Sequence, residues 1–152
     1  MNNTLQWYCR AFDDQRLKEL YDSMVLRQAV FVVEQECAFL DADGIDLHCT
    51  HLFGYQGDTL AAYSRLVPAG VAYAQCSIGR VVTSPSHRGL QLGRELMWRS
   101  IQWIEENWGK QAIKIGAQQR LQAFYESLGF EVCGDNYMED GILHVHMIRE
   151  AD

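Results

Sequence analysis

Leu90, Gly93, Met97, Ile101, Ile104 and Trp108 recur at steps of three and four, and Leu96 and Trp103 widen the stripe. That spacing predicts a strongly amphipathic helix that packs broadly on a sheet. Upstream, LQWYCRAF (5–12) reads as a strand. Asp13 or Asp14 is then placed to cap a helix whose apolar positions Leu17, Leu20, Tyr21 and Met24 keep the 3.6 period. A second helical stretch, separate or continuous with the first, carries Val30, Phe31 and Val33. After the loop DADGID come HLFGYQ and TLAAYSRLV, two strands joined across Gly57-Asp58 as a hairpin. Pro68 to Gly70 turns the chain into a long strand, AYAQCSIGRVVT. Beyond the amphipathic helix lie strand AIKIG, a helix after Gln118, strand FEVCG and a final strand ILHVHMIR. Hairpins alternating with helix crossovers predict an α/β (α+β) fold, with a mixed, mainly antiparallel sheet and helices on both faces.

The richest chemistry lies where strand meets amphipathic helix, in SPSHRGLQLGREL (84–96). A helix start offers backbone N–H groups without internal partners and the positive end of the macrodipole, so this junction is a phosphate cradle. Gly89 and Gly93 let the main chain approach closely, while Arg88 and Arg94 add cationic donors. The spacing R-x-x-Q-x-G is neither a P-loop nor the G-x-G-x-x-G of a dinucleotide fold.

Bulk properties narrow the field. At 152 residues, 48% of them hydrophobic, the chain can bury one core, and no low-complexity linker divides it, so residues 1–152 are expected to form one domain. No run of eighteen apolar residues and no leading basic-apolar segment occurs, which predicts a cytoplasmic protein without a membrane partner. The five cysteines form no C-x-x-C pair and are expected to be reduced and mostly buried. A net charge of -7 argues against nucleic acid as a partner. Its distribution is uneven: Arg80, Arg88, Arg94 and Arg99 cluster with a single acid, Glu95, whereas Glu34, Glu36, Asp41, Asp43 and Asp46 share a stretch without Lys or Arg. The first region suits an anionic cofactor. The second suits a cationic acceptor, or is a solvated loop.

The ordered set CSIGRVVTS, the cradle, and KIGAQQRLQAFYESLGF resembles the GNAT acetyltransferase superfamily. Its acetyl-CoA site is a strand, then an R/Q-x-x-G-x-G/A loop and helix, then a helix carrying F-Y-x-x-x-G-F. The second signature is complete in Phe124-Tyr125-Glu126-Ser127-Leu128-Gly129-Phe130. The first reads Arg88-Gly89-Leu90-Gln91-Leu92-Gly93, with Gln91 where most members have the first glycine; the backbone N–H is retained. LRQAVFVVEQECAFLDADGIDLHCTH, IGRV, DGILH and Gln118 are similar to the ElaA-like branch, so the likeness spans nearly the whole chain. The resemblance implies a twisted sheet of six to seven strands and acetyl-CoA as co-substrate. It implies an amine acceptor, either a small molecule or a peptide or protein amine, and it allows a homodimer. The implied cofactor contacts are Val81, Val82, Thr83, the cradle residues Arg88, Gly89, Leu90, Gln91, Leu92, Gly93 and Arg94, and Gln118 and Phe124. Tyr125 is implied as the donor to the CoA sulfur; outside this motif it would read as a core aromatic.

Acetyl transfer from a thioester needs no covalent enzyme intermediate, and G-x-S-x-G is absent. It needs a neutral amine against the carbonyl, donors for the oxyanion and a proton source for the thiolate. Deprotonating a lysine-like amine at pH 7 costs about 4.6 kcal/mol, against about 1.4 for an α-amine. Glu34 is the first candidate base, directly or through water, with His51 and His144 as the others; Arg27 is placed to hold Glu34 in an ion pair instead. Asp41-x-Asp43-Gly44-x-Asp46 is not a calcium loop, because its Gly comes too early and Leu52 stands at position twelve. His144-x-His146 lacks identifiable further ligands, so no metal is expected. Two other readings are transfer of a different acyl group and a CoA-binding sensor without turnover.

Overall fold

The computed structural model describes residues 4–89 and 91–151. Leu90, placed above in the helical stripe and the cradle, lies outside them. Strand β1 (Gln6–Ala11) pairs with β2 (Thr50–Gln56), β2 with β3 (Thr59–Val67) and β3 with β4 (Ser77–Thr83), all antiparallel. In a second sheet β8 (Ile142–Arg149) is central. On one side it pairs with β5 (Ile113–Gln118), on the other with β6 (Glu131–Val132) and β7 (Tyr137–Glu139) at successive registers. The sheets meet at a parallel bridge between Cys76 and Ile113, where the Lys114 N–H donates to the Cys76 carbonyl at 2.9 Å.

Helix α2 (Leu92–Trp108) covers that junction. Its buried positions Leu96, Met97, Ile101 and Ile104 follow the predicted stripe. Met97, Ile101 and Ile104 pack with Leu66 and Ile78 of the first sheet and with Ile113, Ile115, Val145 and Met147 of the second, so one helix holds both sheets in a common core. On the opposite face, Leu26 and Val30 pack on Phe53, Tyr55, Tyr63 and Val82. They belong to α1 (Leu17–Arg27) and to the π-helical turn Gln28–Glu34 that continues it.

The period of α1 is as expected, but its phase is not. Leu17 and Tyr21 are 87% and 71% exposed, while Glu19, Ser23, Leu26 and Arg27 face inward. Charged residues take the inner face because their partners lie beneath it. Glu19 accepts two bonds from Arg10 Nε, at 2.8 and 3.0 Å, and one from the Arg16 backbone N–H at 2.9 Å. Asp13 and Asp14 do not cap this helix; they sit in a separate 3-10 turn, Phe12–Asp14. The long strand expected from residue 72 begins only at Ser77, because Gly70 N–H donates to the Tyr73 carbonyl at 2.7 Å and closes a loop there.

Arg27 is fully buried. Its Nε donates to Asp41, its Nη1 to Asp46 at 2.8 Å, and its Nη2 to the Asp41 carbonyl at 3.0 Å. Arg65 of β3 reaches Asp43 at 2.8 Å and Asp46 at 3.1 Å, and Arg80 of β4 pairs with Asp41 at 2.7 Å and Asp43 at 3.3 Å. The acidic stretch is therefore neither a solvated loop nor an acceptor surface at these positions: three arginines occupy its three aspartates.

Removing one member of a buried ion pair strands the other charge, so Arg27→Met is expected to cost about 3–5 kcal/mol at pH 7 in urea denaturation. The arginines hold Asp43 and Asp46 below the usual carboxylate range. Their stabilisation is therefore complete above an unfolded-chain value of about 3.9 and is lost as pH falls through the folded values. Protonation also relieves the stranded carboxylates of Arg27→Met, so its deficit relative to wild type should narrow between pH 7 and pH 3.

Candidate active site

Beyond the Cys76–Ile113 bridge β4 and β5 separate, leaving a cleft of about 790 Å³ lined by both strands. In β4, Tyr63 pairs with Val82 and Arg65 with Gly79, so Arg80 and Val81 together oppose Ser64. Arg80 has φ of 49°. This is a β-bulge, which bends a strand and disrupts its ladder. Its side chain is the one paired with Asp41 and Asp43, so the buried charge network anchors the distorted edge.

Glu34, Val81, Val82, Thr83, Arg88, Gly93, Gln118, Phe124 and Tyr125, chosen from sequence, all line this cleft. Gly89 has φ of +82° and open space where a Cβ would project. Gln91 takes a left-handed conformation, φ 56°, immediately before α2. Together they leave the first turn of α2 approachable through its main chain, which fits an anionic phosphate group. Leu92 contributes backbone alone, because its side chain packs in the core with Leu52 and Leu96. Arg94 donates to Ser127 Oγ at 3.0 Å and lies over the Phe124 ring.

Tyr125 sits on α3 (Gln122–Glu126), which ends through bonds from the Leu128 and Phe130 N–H groups to the Tyr125 carbonyl. Its ring packs edge-on against Phe124 and Phe130. Burial pushes the phenol up to about 12. Among the described residues its hydroxyl has no hydrogen-bond partner, so its proton remains available to the cleft.

The three candidate bases separate clearly. Glu34 is not paired with Arg27; it makes a two-pronged ion pair with Arg88, at 2.7 and 2.9 Å, which holds its carboxyl below the usual range. His51 is buried, with Nδ1 2.6 Å from Tyr63 Oη and Nε2 3.0 Å from the Asp46 carbonyl, so both nitrogens are engaged away from the cleft. His144 lines the cleft, with Nδ1 2.7 Å from the Ile142 carbonyl and Nε2 3.6 Å from Glu139 Oε2.

Two features were missed in the sequence. The segment after Glu34 crosses the cleft: Gln118 Nε2 donates to Gln35 Oε1 at 3.3 Å, and Cys37 Sγ donates to the Asp140 carbonyl at 3.2 Å. The Tyr73 and Tyr137 phenols also converge over Gly116, with Tyr137 stacked on His146 at 4.3 Å between centroids. A glycine opposite a histidine in the β5–β8 register was the available signal.

Residues 49–151 match the family described as Acetyltransferase (GNAT) domain. The chain is 37% identical to Protein ElaA of Escherichia coli (strain K12), covering 97% of each sequence. Among solved structures it is similar to an acyl-CoA N-acyltransferase from Pseudomonas aeruginosa, with a TM-score of 0.92, 41% identity and coverage of 96% of this chain and 99% of that one. It is similar also to Escherichia coli ElaA, with a TM-score of 0.90, 36% identity and coverage of 97% and 100%.

A Cβ on Gly116 would stand 2.5 Å from Tyr137 Oη and 3.1 Å from Tyr73 Oη. Gly116→Ala is thus expected to displace both phenols, whose hydroxyl ends can move toward solvent, while changing stability by no more than about 1 kcal/mol. Urea denaturation and the near-ultraviolet tyrosine dichroism would register the two effects.

Proposed function

Because the chain belongs to the acetyltransferase (GNAT) family, we propose that it transfers an acetyl group from acetyl-CoA directly to an amine in a ternary complex. The acceptor is a small molecule or a peptide or protein amine. The observation that carries this reading is the convergence, in one cleft between parted strands, of the β4 edge, the start of α2 and a tyrosine whose ring is buried while its hydroxyl has no partner among the described residues. Acetyl-CoA would bring the thioester, an electrophile that needs no enzyme nucleophile.

The protein's part is binding, alignment and proton management. The first-turn amides of α2 and Arg88 suit the pyrophosphate, with Gly89 and Gly93 keeping the approach open. Main-chain groups of Val81, Val82 and Thr83 suit the pantetheine arm and polarise the carbonyl. Gln118 and Phe124 close the cleft beside the reacting atoms. Tyr125 faces the departing sulfur. Burial raises the phenol, which already lies above an ordinary thiol of pKa about 8.5, so full proton transfer is uphill and Tyr125 stabilises the thiolate by hydrogen bonding. Glu34 orients Arg88 in the free enzyme and competes with phosphate for it.

The reading is tested by thiol release from acetyl-CoA across polyamines, amino acids, aminoglycosides, arylamines and short peptides, against a no-amine control. Amine-dependent release supports it; its absence, with acetyl-CoA binding demonstrated in the same samples, counts against it. Tyr125→Phe should lower kcat about 10- to 100-fold, the worth of a hydrogen bond to a charged group. Glu34→Gln should tighten acetyl-CoA binding about two- to fivefold by releasing Arg88 from an exposed ion pair. A hundredfold loss of kcat in that variant would instead return Glu34 to the role of base.

A further inference from the structure

Acetyl transfer to an amine leaves one proton to be removed, and the cleft contains a side chain shaped to receive it. We infer that His144 is the general base, with the Ile142 carbonyl as the group that positions it and Glu139 as the group that pairs with its protonated form. This rests on the acetyltransferase reading above and names a residue for it.

The argument begins with the tautomer. His144 Nδ1 lies 2.7 Å from the Ile142 carbonyl oxygen. A carbonyl only accepts, so Nδ1 carries the hydrogen and neutral Nε2 presents a bare lone pair. That nitrogen is turned toward Glu139 Oε2, 3.6 Å away, and the ring lines the cleft. His144 is also a cross-strand partner of Gln118 on β5, the last residue before the turn and helix that carry Tyr125. Ala117 and Val145, the neighbours of Gln118 and His144 along β5 and β8, turn to the core that holds Tyr125, so alternation brings the base and the thiolate-facing tyrosine to the cleft from opposite faces of the sheet. Glu34 and His51 lack this combination, since one is held by Arg88 and the other has both nitrogens occupied.

The resulting step balances. A charged amine first gives one proton to Nε2; the neutral amine then attacks the carbonyl carbon, and its second proton leaves for solvent as the C–N bond is completed. The C–S bond then breaks, and the thiolate departs with its electron pair toward the Tyr125 hydroxyl. The imidazolium left behind has Glu139 beside it. Other titratable groups around the ring are Tyr137 on β7, which packs on it, His146 on its own strand, and Tyr73 and Lys114 beyond His146.

Two measurements test this. In the ligand-free protein, nitrogen-15 spectra of labelled histidine should show His144 protonated at Nδ1; a ring protonated at Nε2 would overturn the assignment. In turnover, His144→Gln and His144→Asn should each lower kcat for an alkylamine, charged at pH 7, about 10²-fold or more. The loss for an arylamine, already neutral at pH 7, should be less than tenfold. The Asn variant keeps a donor for the Ile142 carbonyl, so equal loss in both, with unchanged urea midpoints, separates proton transfer from folding. Wild-type turnover with undiminished activity in both variants, or an equal loss on both amine classes, overturns the role of His144 alone. No thiol release by wild type with any amine overturns the acetyl-transfer reading and this one with it.

Discussion

Arg27 has no exposed surface, and the structure around the cleft depends on how its charge is satisfied. A buried guanidinium without partners would be prohibitively costly, so the loop 41–46 must deliver Asp41 and Asp46 to it. Once there, those aspartates and Asp43 also receive Arg65 from β3 and Arg80 from β4. Three cations from three elements thus meet three anions from a single loop. Such a network confers little net stability compared with an apolar core, but removing any one member strands the charges it pairs with. It fixes where α1, the loop and the bulged edge of β4 lie relative to one another.

The cleft is the consequence. A continuous sheet would have paired β4 with β5 along their length and buried both edges. Here the strands share one bridge and then part, while α2 holds both sheets in a common core beneath. The bulge at Arg80 disrupts the β4 ladder where the opening begins, and its side chain is held by the aspartates of the loop. The cleft wall is therefore made from strand edges that pairing would otherwise consume, and the candidate site side chains come from the elements on either side. The 34–37 segment spans the opening, joining Arg88, Gln118 and the β7–β8 turn through successive contacts.

Local chemistry was legible residue by residue. The α2 stripe, the β2–β3 hairpin at Gly57-Asp58, the glycine-spaced helix start and the aromatic pair before Gly129 depend on spacing within a turn or two of chain. Among the described residues, the helix from Leu92, the hairpin and the turn at Gly129 took the predicted form. The errors share a different origin. The inward face of α1 carries Glu19 and Arg27 because Arg10, Asp41 and Asp46 lie under it, and hydropathy alone selected Leu17 and Tyr21 in their place. The acidic stretch suggested a site for a cation, yet its cations are arginines from distant parts of the same chain.

By itself, then, the sequence determined the kinds of element, their order, the glycine-spaced helix start and the family to which the chain belongs. These follow from periodicity, turn chemistry and motifs whose residues are neighbours along the chain. Tertiary structure alone decided which charges are buried and with whom, where the two sheets part, and which titratable groups face the opening. Those outcomes rest on pairings between residues far apart in sequence. An ionic partner or a strand neighbour is selected by three-dimensional proximity and the cost of desolvation, and neither is written in local spacing.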